Sequence, residues 1–481
     1  MIQRQKGTID IYGDVAKKWK YIDSIVDAVM EKYNYGYIRT PIFEDFTLFH
    51  RGIGDSTDIV SKETYDFLDK GGRRIALRPE GTAGVVRAYV ENKMFGDAIQ
   101  PKKFYYNGTM YRYERPQSGR DREFTQFGAE ILGSDDPLSD AEVISLAITI
   151  FKMLGLKDLN VKLNTLGDKE SRDKYRQVLI NHFKPHIDEF CEDCKERINK
   201  NPLRILDCKV DKDHKLMKNA PKTIDYLNDE SRERFERVQE YLDVLGIKYE
   251  VDPTIVRGLD YYSHTVFEIE DTNKNMGLNR VILGGGRYNG LAEQIDGPAT
   301  PCVGWASGAG RVVDALVAEG VQLPIDDGID MFFLYVNEEE KKSAIYYANE
   351  LREAGFSADT EFNGKSLKSQ FKKADRLNAR FIAVLNSEDL NNGEIKVKNN
   401  KTKEEEIVSC EALLYYLEEQ LMTMLEEDCS CGCGCSSDCD CGCQEGKECT
   451  CDDDDCKCGC HDKECDCEKE EGHKCHCKHE K

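Results

Sequence analysis

Two segments, separated by more than a hundred residues, force charge into places where folding normally excludes it. Lys103 to Leu132 (KFYYNGTMYRYERPQSGRDREFTQFGAEIL) and Val256 to Phe267 (VRGLDYYSHTVF) set arginine and acid among aromatics in what reads as β-strand. A charge in a strand interior is costly unless it meets a ligand or an opposite charge. This chain gathers both signs there, as a pocket for a zwitterion and a phosphate would require.

The first segment reads as two hairpin strands, Lys103 to Glu114 and Glu123 to Leu132, joined by the polar loop from Arg115 to Arg122. Alternation with period two puts Arg112 and Glu114 on one face with Met110, and Gln126 and Glu130 on one face with Phe124 and Gly128. The loop RPQSGRDR adds Arg115, Arg120 and Arg122, and guanidiniums over a hairpin suit bidentate recognition of phosphate. A solvated Glu–Arg ladder is the plain alternative. Upstream, Arg74 to Leu77 reads as a short strand, followed by Arg78-Pro79-Glu80-Gly81-Thr82 and a helix through Val90. That pentapeptide has two readings: a helix start with Thr82 as N-cap, or a carboxylate and a hydroxyl that accept from an ammonium.

The 481 residues exceed what one core organises, so two or three domains are expected. Residues 14 to 33 show apolar spacing near 3.6, with Asp14 as N-cap, and a strand from Tyr37 to Phe43 is broken by Pro41. Residues 169 to 250 read as a charged helical insertion into a first domain of 1–325. Strands return at Thr254 to Ile269 and Arg280 to Leu283, after which Gly284-Gly285-Gly286 is expected to turn into a helix. From Asp330 strand and helix alternate, which predicts a small α/β domain over 326–425. No apolar run approaches the roughly 18 residues of a membrane span, and the start has no apolar signal-like region, so a cytoplasmic address is expected.

The net charge is -23. An acidic body requires any RNA surface to be local, and the basic helix around Lys365 to Asp375 (KSLKSQFKKAD) offers one.

These residues carry a family resemblance. MYRYERPQSGRDREFTQFGAEILG resembles motif 2 of the class II aminoacyl-tRNA synthetases in its histidyl form, and Val256 to Tyr262 (VRGLDYY) resembles the histidine-specific segment of the histidyl-tRNA synthetases. Thr40 to Glu44 is similar to motif 1, which supports the dimer interface in that family. Gly284 to Leu291 (GGGRYNGL) is similar to a further histidyl segment. Cys302 to Arg311 stands in the place of motif 3, with Gly310 where the family usually carries an acid, and the last α/β domain resembles the family's anticodon-binding domain.

The resemblance implies an α+β catalytic core with an antiparallel sheet, a helical insertion and a C-terminal α/β anticodon-binding domain. It implies a homodimeric histidine–tRNA ligase that uses ATP and Mg²⁺ to activate L-histidine and charge tRNA(His). Arg112 and Arg257 would be catalytic. Glu80, Gly81, Thr82, Gln126, Glu130, Tyr261 and Tyr262 would bind histidine, and Arg112, Glu114, Arg120 and Arg311 would bind ATP. The alternatives are a regulatory subunit of histidine biosynthesis built on the same core, and a metal-binding protein on a synthetase body.

Cysteine use divides the chain. Of 21 cysteines, 16 lie at or beyond Cys429, in an acidic, low-complexity tail (426–481) of repeated Cys-x-Cys units such as Cys429, Cys431, Cys433 and Cys435. Without aliphatic residues this tail cannot bury a core. Closely spaced thiolates suit Zn²⁺ or Cu⁺; a disordered acidic appendage is the alternative. In the insertion, Cys191 and Cys194 form a CxxC pair with Cys208 and His214 downstream, a Cys₃His set for zinc or else a group of reduced thiols.

Overall fold

The structure, a computed structural model, describes residues 1–427 except 55, 56, 58, 116–120, 278, 279, 326 and 327. The chain divides into two compact units, Met1–Ile325 and the remainder.

Among the described residues, eleven strands form two sheets in the first unit: β1 (Gly36–Tyr37), β2 (Phe43–Asp45), β3 (Asp66–Leu68), β4 (Arg74–Leu77), β5 (Lys102–Tyr111), β6 (Glu123–Leu132), β7 (Leu159–Thr165), β8 (Tyr249–Val251), β9 (Ser263–Asp271), β10 (Val281–Arg287) and β11 (Cys302–Gly308). The large sheet runs β1-β5-β6-β11-β10-β9-β7-β8 and the small one β2-β4-β3. The six central strands of the large sheet pair antiparallel, and only its edge pairs, β1–β5 and β7–β8, are parallel. Pro41 ends one strand reading in two: β1 and β2 belong to different sheets.

Alternation explains how this sheet is covered. Phe127, Ala129 and Ile131 of β6, with Val303 and Trp305 of β11, project into one core with the helices Gly13–Lys32, Pro137–Met153 and Ala309–Glu319. Trp305 is 1% exposed, donates from Nε1 to the Val143 carbonyl at 2.8 Å and meets Phe127 edge-on at 6.0 Å. The intervening residues face the other way, where the helix Thr82–Glu91 and the tyrosines 106, 261, 262 and 288 form a second cluster. The N-terminal helix starts at Gly13 with Tyr12 as its cap residue, so Asp14 sits in the first turn and favours the helix dipole rather than capping it.

Two segments differ from the sequence reading. Val256 to Tyr262 is not strand but an irregular approach to β9. Two of its carbonyls meet side chains instead of a ladder: Arg204 donates to the Arg257 carbonyl at 3.0 Å and Arg172 to the Tyr262 carbonyl at 2.9 Å. Conversely, Gly284 to Gly286 does not turn into a helix. It lies inside β10, between β9 and β11. A Cβ at Gly285 would stand 2.5 Å from the Gly304 carbonyl and 2.6 Å from Phe267, so only glycine fits there.

Residues 169 to 250 fold largely as helices, with a separate small core of Tyr175, Leu179, Phe183, Phe190, Cys194 and Ile205. The second unit has a five-stranded sheet in which Ala358–Thr360, Met331–Leu334 and Phe381–Val384 run parallel, and Glu394–Asn399 and Glu405–Ser409 add antiparallel. Its helix Glu338–Glu353 begins in a capping box of Asn337 and Glu340.

Candidate active site

The site forms on the polar face of the large sheet, where glycine replaces the side chains that would otherwise fill it. A Cβ on Gly304 would lie 1.7 Å from Glu130 Oε2, and one on Gly284 would lie 1.8 Å from the Arg257 guanidinium. Those two strands therefore let a carboxylate and a guanidinium lie against the backbone. Gly81 and Gly128 leave the same kind of room for the ring of Tyr106.

Glu80, Thr82 and Glu130 are buried together. Gly81 is the N-cap residue of Thr82–Glu91, but its orphan donors are met by Glu80, whose two oxygens accept from the backbone N–H of Thr82 and of Ala83, each at 2.8 Å. Thr82 is thus not the cap that the sequence allowed. Its hydroxyl is turned to Glu130 Oε1, at 2.6 Å. The Tyr288 hydroxyl donates to the other oxygen, Oε2. Burial pushes the Glu130 carboxyl up to about 8; the Thr82 and Tyr288 donors pull it back only partly, and nearby Glu80 adds to the rise. Burial also raises Glu80, against the two N–H groups that it accepts from and the more distant charge of Arg112.

The tyrosines form a wall. Tyr261 packs on Tyr262 at 4.8 Å and on Tyr288 at 5.5 Å between ring centroids. Arg257 lies 6.0 Å from the Tyr262 ring and is ion-paired with Glu268 of β9. Its Nε has no hydrogen-bond partner among the described residues. Arg112, just beyond the end of β5, donates from Nε to the Pro79 carbonyl at 2.9 Å and lies 5.2 Å over the Phe124 ring. Gln126 sits on the same face of β6 as Glu130, opposite Gly108 and Gly308, and its side-chain oxygen is buried without a hydrogen-bond partner among the described residues.

The structure therefore brings together Glu80, Gly81, Thr82, Gln126, Glu130, Tyr261, Tyr262, Arg112 and Arg257. Glu114 follows Arg112 outside the strand, and its carbonyl accepts from Arg122 at 3.2 Å. The Arg122 guanidinium is held 4.0 Å over the Tyr113 ring. Arg311 stands in the first turn of Ala309–Glu319, directly after β11. Arg120 lies outside the described residues, as do Cys429, Cys431, Cys433 and Cys435.

Sequence reasoning missed three groups of residues. Tyr288 was visible in GGGRYNGL but carried no sign that its hydroxyl meets Glu130. Tyr106 shares the period-two face of Met110 and could have been found from it. Asn201, Arg204 and Arg172, which fasten the Val256–Tyr262 segment from the insertion, had no local signal. Asn201 donates to Asp260 at 2.9 Å.

Cys191, Cys194 and Cys208 also come together, but with Asp211 as their fourth neighbour. His214, expected beside them, instead contacts Glu189 at 3.3 Å through Nε2.

Known proteins resemble this chain along most of its length. The family model described as histidyl-tRNA synthetase matches residues 7–312, and the one described as an anticodon binding domain matches 330–420. A histidine–tRNA ligase of Anoxybacillus flavithermus is 52% identical over 419 residues, 87% of this chain and 99% of its own length. One from Bacillus cytotoxicus is 51% identical over 421 residues, covering 88% and 100%. The crystal structure of apo Staphylococcus aureus histidyl-tRNA synthetase is 42% identical and superposes with a TM-score of 0.75, covering 87% of this chain and 100% of that one. A histidyl-tRNA synthetase structure from Nostoc is 20% identical with a TM-score of 0.62, a likeness of fold.

Proposed function

Because the chain belongs to the histidyl-tRNA synthetase family, we propose that the glycine-floored cluster on its large sheet activates L-histidine with ATP and transfers it to tRNA(His). The observation that carries this reading is the junction of Glu80, Glu130 and the tyrosine wall with Arg112 and Arg257 on one sheet face.

Glu80, Thr82 and Gln126 hold the α-ammonium of histidine, Gln126 with its buried oxygen, which has no partner among the described residues. Glu130 faces the imidazole between Tyr261 and Tyr262. A buried carboxylate rejects an apolar rival because that rival would leave it unpaired. The histidine carboxylate then attacks the α-phosphate of ATP and pyrophosphate leaves. Arg112 and Arg257 offset the charge that develops there, and both are held in place beforehand, by the Pro79 carbonyl and by Glu268. Glu114, Arg120 and Arg311 serve the nucleotide. Glu114, beside these guanidiniums, would hold Mg²⁺ brought by ATP, and the ion would supply positive charge against the pyrophosphate.

For tRNA, the helix Leu367–Arg376 buries Gln370 and Ala374 and exposes Lys368, Lys372 and Arg376 at four-residue spacing. That stripe is the basic surface that an otherwise acidic chain requires. The chain acts as a homodimer. Ile42, Phe43, Phe67 and Leu68 on and beside the small sheet are exposed in the single chain, apolar surface of the kind a partner covers. No helix among the described residues is long and apolar enough to cross a membrane, which suits work in the cytoplasm. The tail beyond Cys429 lies past the end of the family match at 420. Its closely spaced cysteines suit Zn²⁺ or Cu⁺.

Histidine-dependent exchange of pyrophosphate into ATP tests the reading. The purified chain is expected to catalyse it with histidine and with no other amino acid. Absence of exchange in a folded, ATP-binding chain would instead favour a non-catalytic regulatory subunit.

A further inference from the structure

Three thiols and one carboxylate meet in the helical insertion, away from the sheet. Cys191 is the N-cap residue of the helix Glu192–Lys200, Cys194 lies in its first turn, and Cys208 and Asp211 return from the following loop. Their ligand atoms all lie within 4.8 Å of one another. Cys191 Sγ is 3.6 Å from Cys208 Sγ, and Cys208 Sγ is 3.3 Å from Asp211 Oδ2. A tetrahedral zinc site with Zn–S near 2.3 Å and Zn–O near 2.0 Å has S···S edges of about 3.8 Å and S···O edges of about 3.5 Å. The Cys191–Cys208 and Cys208–Asp211 separations thus already stand close to those edge lengths, and no other pair of the four atoms is more than 4.8 Å apart. Cys194 and Cys208 are buried, while Cys191 and Asp211 are partly exposed, which leaves an entry path. The first-turn N–H groups of Glu192–Lys200 favour the negative charge that thiolates bring.

We propose that Cys191, Cys194, Cys208 and Asp211 bind one Zn²⁺ ion as a closed Cys₃Asp structural site. Four protein ligands leave no open position, so the ion holds structure and takes no part in the reaction. Its location gives it a use. Asn201 and Arg204, which fasten Asp260 and the Arg257 carbonyl, lie between the two ligand pairs. The ion closes both ends of the segment that steadies Arg257, and this consequence, unlike the site itself, rests on the catalytic reading of Arg257.

The test uses full-length chain in which all sixteen tail cysteines are serine, so that the tail contributes no zinc. After growth with zinc and purification under reducing conditions, metal analysis is expected to find one Zn²⁺ per chain. Replacement by Co²⁺ is expected to give the visible bands of a tetrahedral ion and a thiolate-to-cobalt charge-transfer band. Cys194→Ser is expected to lose the ion. Asp211→Asn, which keeps the shape of the side chain, is expected to bind it at least tenfold more weakly while remaining folded by circular dichroism. Less than a tenth of an equivalent of zinc in the tail-serine chain would overturn the proposal. So would an intact mass showing a Cys191–Cys208 disulfide in the reduced, metal-exposed protein, or an undiminished zinc content in both variants. If zinc is present but pyrophosphate exchange is absent, the site stands and the catalytic reading falls.

Discussion

The two faces of the large sheet are built from the same strands and do opposite things. On β6, Phe127, Ala129 and Ile131 point into a packed core, while Gln126, Gly128 and Glu130 between them point at the site. On β11, Val303 and Trp305 alternate with Gly304, and on β10 Leu283 is followed by Gly284. One face fills space with side chains; the other removes Cβ atoms so that long polar side chains from elsewhere can lie on the backbone. Shape on the first face is made by packing, and on the second by omission. Damage to the first should therefore appear as lost stability, and damage to the second as lost chemistry.

The sharpest break of that contrast pairs two substitutions. Trp305→Ala removes a fully buried ring and its bond to Val143, and is expected to cost about 3–5 kcal/mol of folding stability. Denaturant melts would measure this, with exchange activity per folded molecule changed only a few-fold. Arg257→Ala is expected to do the reverse. Adenylation should slow by about 10²–10³, roughly 3–4 kcal/mol of barrier, while leaving Glu268 unpaired costs less folding stability than Trp305→Ala does. Normal histidine-dependent pyrophosphate exchange in that variant would refute the role given to Arg257.

Legibility in the sequence follows the same division. The hairpin strands and the polar face of β6 could be read because period two is a local signal, and Glu130 stands two and four residues from Gly128 and Gln126. The family segments exposed Arg112, Arg257 and the tyrosine pair. What could not be read was reciprocal. Gly284 is glycine because of Arg257, and Gly304 because of Glu130, and neither cause is nearby in the chain. For that reason a triple glycine resembled a turn although it lies inside a strand. The same holds for Asp211, an ordinary loop acid until the fold sets it against Cys208, whereas His214 had the spacing without the position.

The third expectation concerns protons. A carboxyl that titrates near 4.5 when unfolded and about 8 when folded favours the folded state in its protonated form. Its contribution is present below pH 4.5, declines as pH rises between about 4.5 and 8, and is flat above that. The decline is on the order of a few kcal/mol. Glu130→Gln cannot ionise, so its stability should fall less across that window. A pH–stability curve parallel to the parent's would show that Glu130 is already ionised in the free protein.

Histidine binding gives the smaller and more specific measurement. An imidazole N–H that donates to Glu130 needs the carboxylate, so at pH 7 binding should release close to one proton per chain. Calorimetry in two buffers of different ionisation enthalpy reads that number directly. Tyr288→Phe should sharpen it. The ring and its contact with Tyr261 remain, but one of the two donors that pull Glu130 down is lost. The carboxyl should titrate higher and proton release at pH 7 should not fall. Histidine binding should weaken by about 10- to 100-fold, the cost of one hydrogen bond to a charged group. A variant that binds histidine as tightly as the parent would mean that Thr82 alone holds Glu130. The glycine at 304 would then be the feature that seats the carboxylate, and Gly304→Ala, with its Cβ placed 1.7 Å from Oε2, would be the substitution that abolishes binding.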